Sequence, residues 1–180
     1  MPDVAILPCC GRELRAELRQ ASLGPLRLSV IDAFGQTIHK AARAAPAAGN
    51  APYYLLQLHK GRFAVEAGDR LLCVEERECL LLDSQSSYRI EFAQEWRCRI
   101  VQLPADWLTV WLPDPQRCTL RPFSASRGWG CTLAHTVASL DPAELSELAL
   151  PAQRVADLIL GLIAQAATSG SLGAHRAGHA

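Results

Sequence analysis

A chain of 180 residues, 49% of them hydrophobic, is long enough for one domain with a sizeable core and a short appended segment. Its 18 basic and 18 acidic residues cancel and form no run of one sign, which excludes bulk electrostatic attraction to nucleic acid or anionic lipid. The Met-Pro-Asp-Val start lacks the pattern of a secretory signal, and the most apolar helical stretch, Val155 to Ala167, is too short and too polar to span a bilayer. Seven cysteines with no paired C-x-x-C spacing read as core residues in a reducing compartment, so a soluble, cytoplasmic protein without a metal or cofactor is expected.

In chain order, residues 1–25 read as an N-terminal arm with one helical pattern, Leu14, Leu18 and Ala21 on one face and Arg12, Arg15 and Arg19 around it. Leu26 to Ile31 alternates as a strand, and Gln36 to Ala42 is a candidate for another. A small-residue loop carrying Arg43 then leads to Pro52. From Tyr53 to Leu103 nearly every piece alternates apolar and polar side chains and ends in a turn signal. Tyr88, Ile90 and Phe92, for example, share one face against Arg89 and Glu91. Six short strands in about fifty residues, without room for a crossover helix, predict an antiparallel sandwich or barrel.

Pro104 and Pro113 bracket a short helix over Ala105 to Trp111, and Cys118 to Phe123 reads as one more extended segment at the sheet. From Gly128 the period becomes helical, with Trp129, Leu133, Val137 and Leu140 on one stripe. Asp141-Pro142-Ala143-Glu144 reads as a capped helix start that Pro151 kinks or restarts. Beyond it Val155, Leu158, Ile159, Leu162, Ile163 and Ala166 form a broad apolar stripe, and Leu160 points away from it as a dimer contact. The expected division is a barrel over 26–125, a helical segment over 126–168 and a linker-like tail over 169–180.

Chemistry is sparse. His59 lacks the neighbouring histidine and carboxylate that a barrel metal site needs, and no Gly-x-Ser-x-Gly or Gly-rich phosphate loop occurs. What remains is an inner face bearing Tyr54, Leu56 and Leu58, Tyr88 and Ile90, and Trp96, Cys98 and Ile100, which either lines an apolar cavity with phenol and indole groups or simply fills a core.

The order of Pro52 to Leu58 (PYYLLQL), Gly61-Arg62, Leu80 to Ser84, Tyr88 to Phe92, Leu103-Pro104, the Gly-x-Gly-x-x-Leu133 helix opening and Leu140-Asp-Pro142 resembles the N-terminal regulatory domain of AraC-type transcription regulators. The resemblance covers roughly Ser29 to Ala167. It implies a cupin-like double-stranded β-helix, a jelly-roll barrel with a helical dimerisation segment and no enzymatic activity. It further implies a small-molecule effector inside the barrel, closed in by the segment that carries Arg43; Arg43 with the inner-face residues Tyr54, Leu58, Tyr88, Ile90, Trp96, Cys98 and Ile100 as its binding set suggests an aromatic or carboxylated molecule. A homodimer is implied too, with DNA reached only through helix-turn-helix units that lie outside these residues. Where the family has Pro-Gly-Asp this chain has Glu76-Arg77-Glu78, which predicts a less tight turn. The competing readings are a dimerisation module with a filled barrel and a metal-free cupin enzyme.

Overall fold

The computed structural model describes residues 4–8, 15–41, 51–147 and 150–169. Strands β1 (Val4–Pro8), β4 (Gln36–Lys40), β6 (Phe63–Ala67), β7 (Arg70–Val74) and β9 (Tyr88–Phe92) form one antiparallel sheet in the order β1-β4-β9-β6-β7. Strands β2 (Ala16–Leu23), β3 (Leu26–Ala33), β5 (Tyr53–Lys60), β8 (Cys79–Asp83) and β10 (Trp96–Leu103) form a second in the order β2-β3-β10-β5-β8. The two face each other as a jelly-roll barrel, and helices α1 (Ala105–Trp111), α2 (Gly128–Ala138) and α3 (Ala152–Ser169) follow. Among the described residues no helix is long and apolar enough to cross a membrane.

Two cores explain the two kinds of strand pattern. Leu58, Phe63, Val65, Leu80, Ile90 and Phe92 meet between the sheets, whereas Leu28, Leu55, Leu81, Val101 and Leu103 turn to the helices and pack on Leu108, Leu133, Val137, Ile159 and Ile163. The second sheet is thus covered on both faces, so Cys79–Asp83 is buried throughout and reads as a continuous apolar run. The first sheet is covered on one face only, so Tyr88–Phe92 alternates.

Tight turns hold the register. Gly61, between β5 and β6, has φ 91°, and a Cβ there would sit 2.9 Å from the Glu95 carbonyl oxygen, so both conformation and space call for glycine. The Glu76-Arg77-Glu78 turn, expected to be less tight, is closed by the Glu78 amide donating to the Glu75 carbonyl at 3.1 Å. Arg77 itself takes φ 70°, and its amide donates to the Leu58 carbonyl at 2.6 Å.

Three expectations are corrected. The described residues of the expected helical arm are not helical: 4–8 and 16–23 are strands β1 and β2, and β2 pairs along its length with β3. Asp141 caps a turn rather than a long helix: its Oδ1 accepts from the Ala143 amide at 2.9 Å, and α3 starts only after Pro151. Leu160 does not point outward. It is fully buried, and Leu158 is the exposed residue, at 51%. The reason is that α3 packs on α1, α2 and β2 at once, which moves its buried arc onto Val155, Ala156, Ile159, Leu160 and Ile163.

Candidate functional site

Strand alternation fixes which side chains enter the barrel. Because Ile90 and Phe92 join the core between the sheets, their directly opposed partners Ile38 and Gln36 share that face. So do Lys40 opposite Tyr88 and, one strand further out, Val4, Ile6 and Pro8 of β1. On the second sheet the same rule turns Tyr54, Leu56 and Leu58 of β5, Trp96, Cys98 and Ile100 of β10, Ser29 and Ile31 of β3, and Leu18 of β2 inward.

One end of this interior is filled. The Phe92 ring stacks on Trp96 with centroids 3.9 Å apart and lies 5.1 Å from Phe63, and the Trp96 indole N–H donates to the Phe34 carbonyl at 3.2 Å. The indole expected as a polar contact for ligand is therefore already bonded. Cys98 is buried with its Sγ 3.4 Å from the Arg99 carbonyl oxygen, and burial pushes its thiol up to about 12. Burial likewise raises the Cys79 thiol, while Cys73 is exposed. A thiol reagent followed by peptide mass spectrometry is expected to modify Cys73 in the native protein and to reach Cys79 and Cys98 only after unfolding; native labelling of Cys98 would contradict the packed end.

The other side of the interior is open. Val4, Ile6 and Leu18 face inward yet are 44%, 45% and 55% exposed, and Ile31, Ile38, Ile100, Tyr54 and Tyr88 are half-buried. Val4, Ile6 and Leu18 stand on the β1 and β2 edge strands, and the half-buried residues pack against the core between the sheets. The Tyr88 phenol is raised well above its ordinary value, first by burial and then by the nearby Tyr54 and Asp83, so it stays protonated and can donate. Lys40 sits at this end with its ammonium 3.2 Å from the Ala41 carbonyl oxygen, 3.5 Å from that of Ser86 and 5.9 Å from the Tyr88 ring centre.

Of the residues expected at the site, Tyr54, Leu58, Tyr88, Ile90, Trp96, Cys98 and Ile100 all belong to or pack on the core between the sheets. Tyr54, Tyr88 and Ile100 are half-buried, whereas Leu58, Ile90, Trp96 and Cys98 are buried in packing. Arg43 lies outside the described residues. Lys40, Ile38 and Ile31 were not anticipated. The Gln36-x-Ile38-x-Lys40 alternation marks a strand, but its pairing with Tyr88–Phe92 is long-range and leaves no local signal.

A different concavity, about 500 Å³, lies outside the barrel on the first sheet, lined by Ala64, Glu66, Arg70, Arg89 and Glu91 among others. Arg89 there lies 3.0 Å from Glu91 and 3.5 Å from Glu66, and Arg70 donates to the Leu120 carbonyl at 3.0 Å. On the helix-facing side of the second sheet, a charge cluster ties strands to helices. Arg19 lies 3.2 Å from Asp141, Arg97 bonds Asp32, and Arg99 Nε donates to the Leu140 carbonyl at 2.9 Å. The Ala143 amide, together with the Arg19 guanidinium, holds the Asp141 carboxyl below its usual range.

Among the described residues no group of three His, Cys, Asp or Glu side chains is placed to hold a metal ion. The family model described as AraC-binding-like domain matches residues 4–168. The chain belongs to that family. This AraC-binding-like domain is similar in fold to the crystal structure of the AraC-like transcriptional activator CuxR, with a TM-score of 0.79, 15% identity, and coverage of 93% of this chain and 62% of that one. The domain thus spans less than two thirds of that neighbour's length. Shorter likenesses include ethanolamine utilization protein Q from Salmonella typhimurium, with a TM-score of 0.41, 10% identity, and coverage of 50% of this chain and 70% of that one. The EutQ protein of Clostridium difficile matches with a TM-score of 0.42, 14% identity, and coverage of 56% and 77%. Comparison with curated proteins finds no match.

Proposed function

We propose that this AraC-binding-like domain is a sensor, not an enzyme: a small effector enters the cleft between the sheets, and its presence is passed to the helical layer. The observation that carries this reading is the accessibility of inward-facing Val4, Ile6 and Leu18. A filled barrel would bury such side chains, and a ligand that covers them gains the hydrophobic free energy the chain leaves unused.

The route outward runs along β10. Cys98 and Ile100 face the interior while Arg97 and Arg99, alternating with them, face the helices, and Arg99 holds the carbonyl of Leu140 just beyond α2. A ligand that shifts β10 or the neighbouring β3 therefore changes the seating of α2 and of the Arg19–Asp141 pair. Only differential affinity for two such seatings can drive a switch. DNA would be contacted by helix-turn-helix units attached to or partnered with this domain. Self-association is favoured by a specific feature: Val110, Trp111 and Leu158 are exposed apolar residues at the α1–α3 junction, where the Trp111 ring packs against Gly161.

The test is a thermal-shift screen of the whole chain against small apolar and amphipathic molecules. A ligand at a hundredfold excess over Kd stabilises by about 2.7 kcal/mol, a shift of several degrees. Hits should saturate, vanish in Ile100→Trp, whose bulk fills the cleft, and persist in Leu71→Ala on the outer face. A broad library that yields no saturable hit, or hits indifferent to Ile100→Trp, would overturn the reading.

A further inference from the structure

We propose, resting on the sensor reading for its purpose, that Arg99 is a two-position latch between the barrel and the helices. In this structure its guanidinium holds the Leu140 carbonyl just beyond α2; in a second seating it swings to the Gln57 side chain of β5 and frees the end of α2. The two residues stand directly opposite one another where β10 pairs with β5. Arg99 alternates with Val101 and Gln57 with Leu55 on the side packed against the helices. Directly opposed side chains have Cβ atoms about 5 Å apart, so the guanidinium reaches the amide with no change of strand register.

The seating in this structure leaves both residues unsatisfied. Arg99 is 9% exposed and Gln57 is fully buried. Arg99 Nε donates to the Leu140 carbonyl and Gln57 Nε2 to the Leu58 carbonyl, both at 2.9 Å. Arg99 Nη1, a donor, and Gln57 Oε1, an acceptor, are buried with no hydrogen-bond partner among the described residues. Each forfeits a bond that water would give it in the unfolded chain. A swing of the Arg99 side chain joins this donor to this acceptor in a charge-assisted bond and releases Leu140. No carboxylate opposes the swing, because Asp141 is held by Arg19 and the Ala143 amide, and Arg99 forms no ion pair among the described residues.

The end of α2 reads the position of the latch. The Ser139 amide donates to the His135 carbonyl at 3.1 Å and the Leu140 amide to the Val137 carbonyl at 3.2 Å, the bonds that close this terminus. With Leu140 held the terminus stays closed, and with Leu140 released it frays. Cys98 and Ile100 flank Arg99 on the interior face of β10, and Leu56 and Leu58 flank Gln57 on that of β5. An effector pressing on that face therefore alters the β5–β10 spacing on which the two seatings differ.

The experiment is native-state hydrogen exchange of the whole chain, followed by NMR at one pH, with the β3 amides as reference. Unmodified protein is compared with Gln57→Leu and Gln57→Glu, each checked for folding by circular dichroism. Gln57→Leu removes the acceptor and keeps Arg99 on Leu140, so Ser139 and Leu140 should exchange about threefold or more slowly relative to the reference. Gln57→Glu sets a full charge opposite Arg99 and should speed the same two amides about tenfold or more. Opposite signs from one position mark the latch. Changes of the same sign in both variants, or in neither, overturn it and leave a shared water as the bridge between Arg99 and Gln57. If Gln57→Glu does not fold, Gln57→Leu decides alone: slowing supports the latch, and no slowing overturns it. No ligand enters these measurements, so failure of the latch leaves the sensor reading standing, and that reading fails only by the thermal-shift screen.

Discussion

Phe92→Ala is expected to lower the stability of the fold by about 3–5 kcal/mol, measured as a fall in the urea midpoint with little change in slope. Phe92 is buried and stacks on Trp96, and it is also the point where three strands meet in register, opposite Gln36 of β4 and Phe63 of β6. Truncation removes the ring's transfer free energy, leaves a cavity between two sheets that cannot collapse independently, and strips Trp96 of its stacking partner. Against a typical total of about 5–15 kcal/mol the loss is a large share. Phe34→Ala, two residues before β4 and about half exposed, should stay within ~0.5 kcal/mol. A loss below about 1.5 kcal/mol at Phe92 would mean that the end of the barrel described as packed is hollow, and the effector would then have room far deeper than Lys40.

That boundary between packed and open interior is what the sequence could not express. Alternation alone assigned Tyr54, Tyr88, Trp96, Cys98 and Ile100 to one interior, and they share one core. Yet Trp96 and Cys98 are sealed while Tyr54, Tyr88 and Ile100 stay accessible, because accessibility depends on which strand of the facing sheet lies opposite. The run from β5 to β10 was legible for a different reason: short turns follow each strand, and adjacent segments carry their own punctuation. At the N-terminus the local pattern misleads, although Gly24-Pro25 turns the chain between β2 and β3. Leu14, Leu18 and Ala21 fit a helical spacing, but eight residues of β2 find hydrogen-bond partners all along β3, and tertiary pairing overrides a weak local pattern. Lys40 was passed over because a lysine near a strand end ordinarily reads as a solvated charge. Only the pairing of β4 with β9 turns it inward beside Tyr88.

Helix α3 offers the second large effect, in a comparison of two leucines two residues apart. Leu160→Glu places a carboxylate at a fully buried position among α1, α2 and the sheet, where it must either remain charged without a partner or take up a proton at a cost. The expected loss is about 3 kcal/mol or more, seen by circular dichroism as a lowered melting temperature. Leu158→Glu sits on the exposed side of the same helix, one turn before the Gly161 that the Trp111 ring packs against, and should leave the melting temperature within a degree or two. Its effect should appear in analytical ultracentrifugation instead, as weakened self-association, because a charge in the apolar patch of Val110, Trp111 and Leu158 opposes burial against a second copy. Two helical residues differ by about 200° around the axis, so the pair reports the orientation of α3 directly. A folded Leu160→Glu that merely dissociates, beside a destabilised Leu158→Glu, would require α3 to be turned by about that angle. The outward face would then be the one first expected from the sequence.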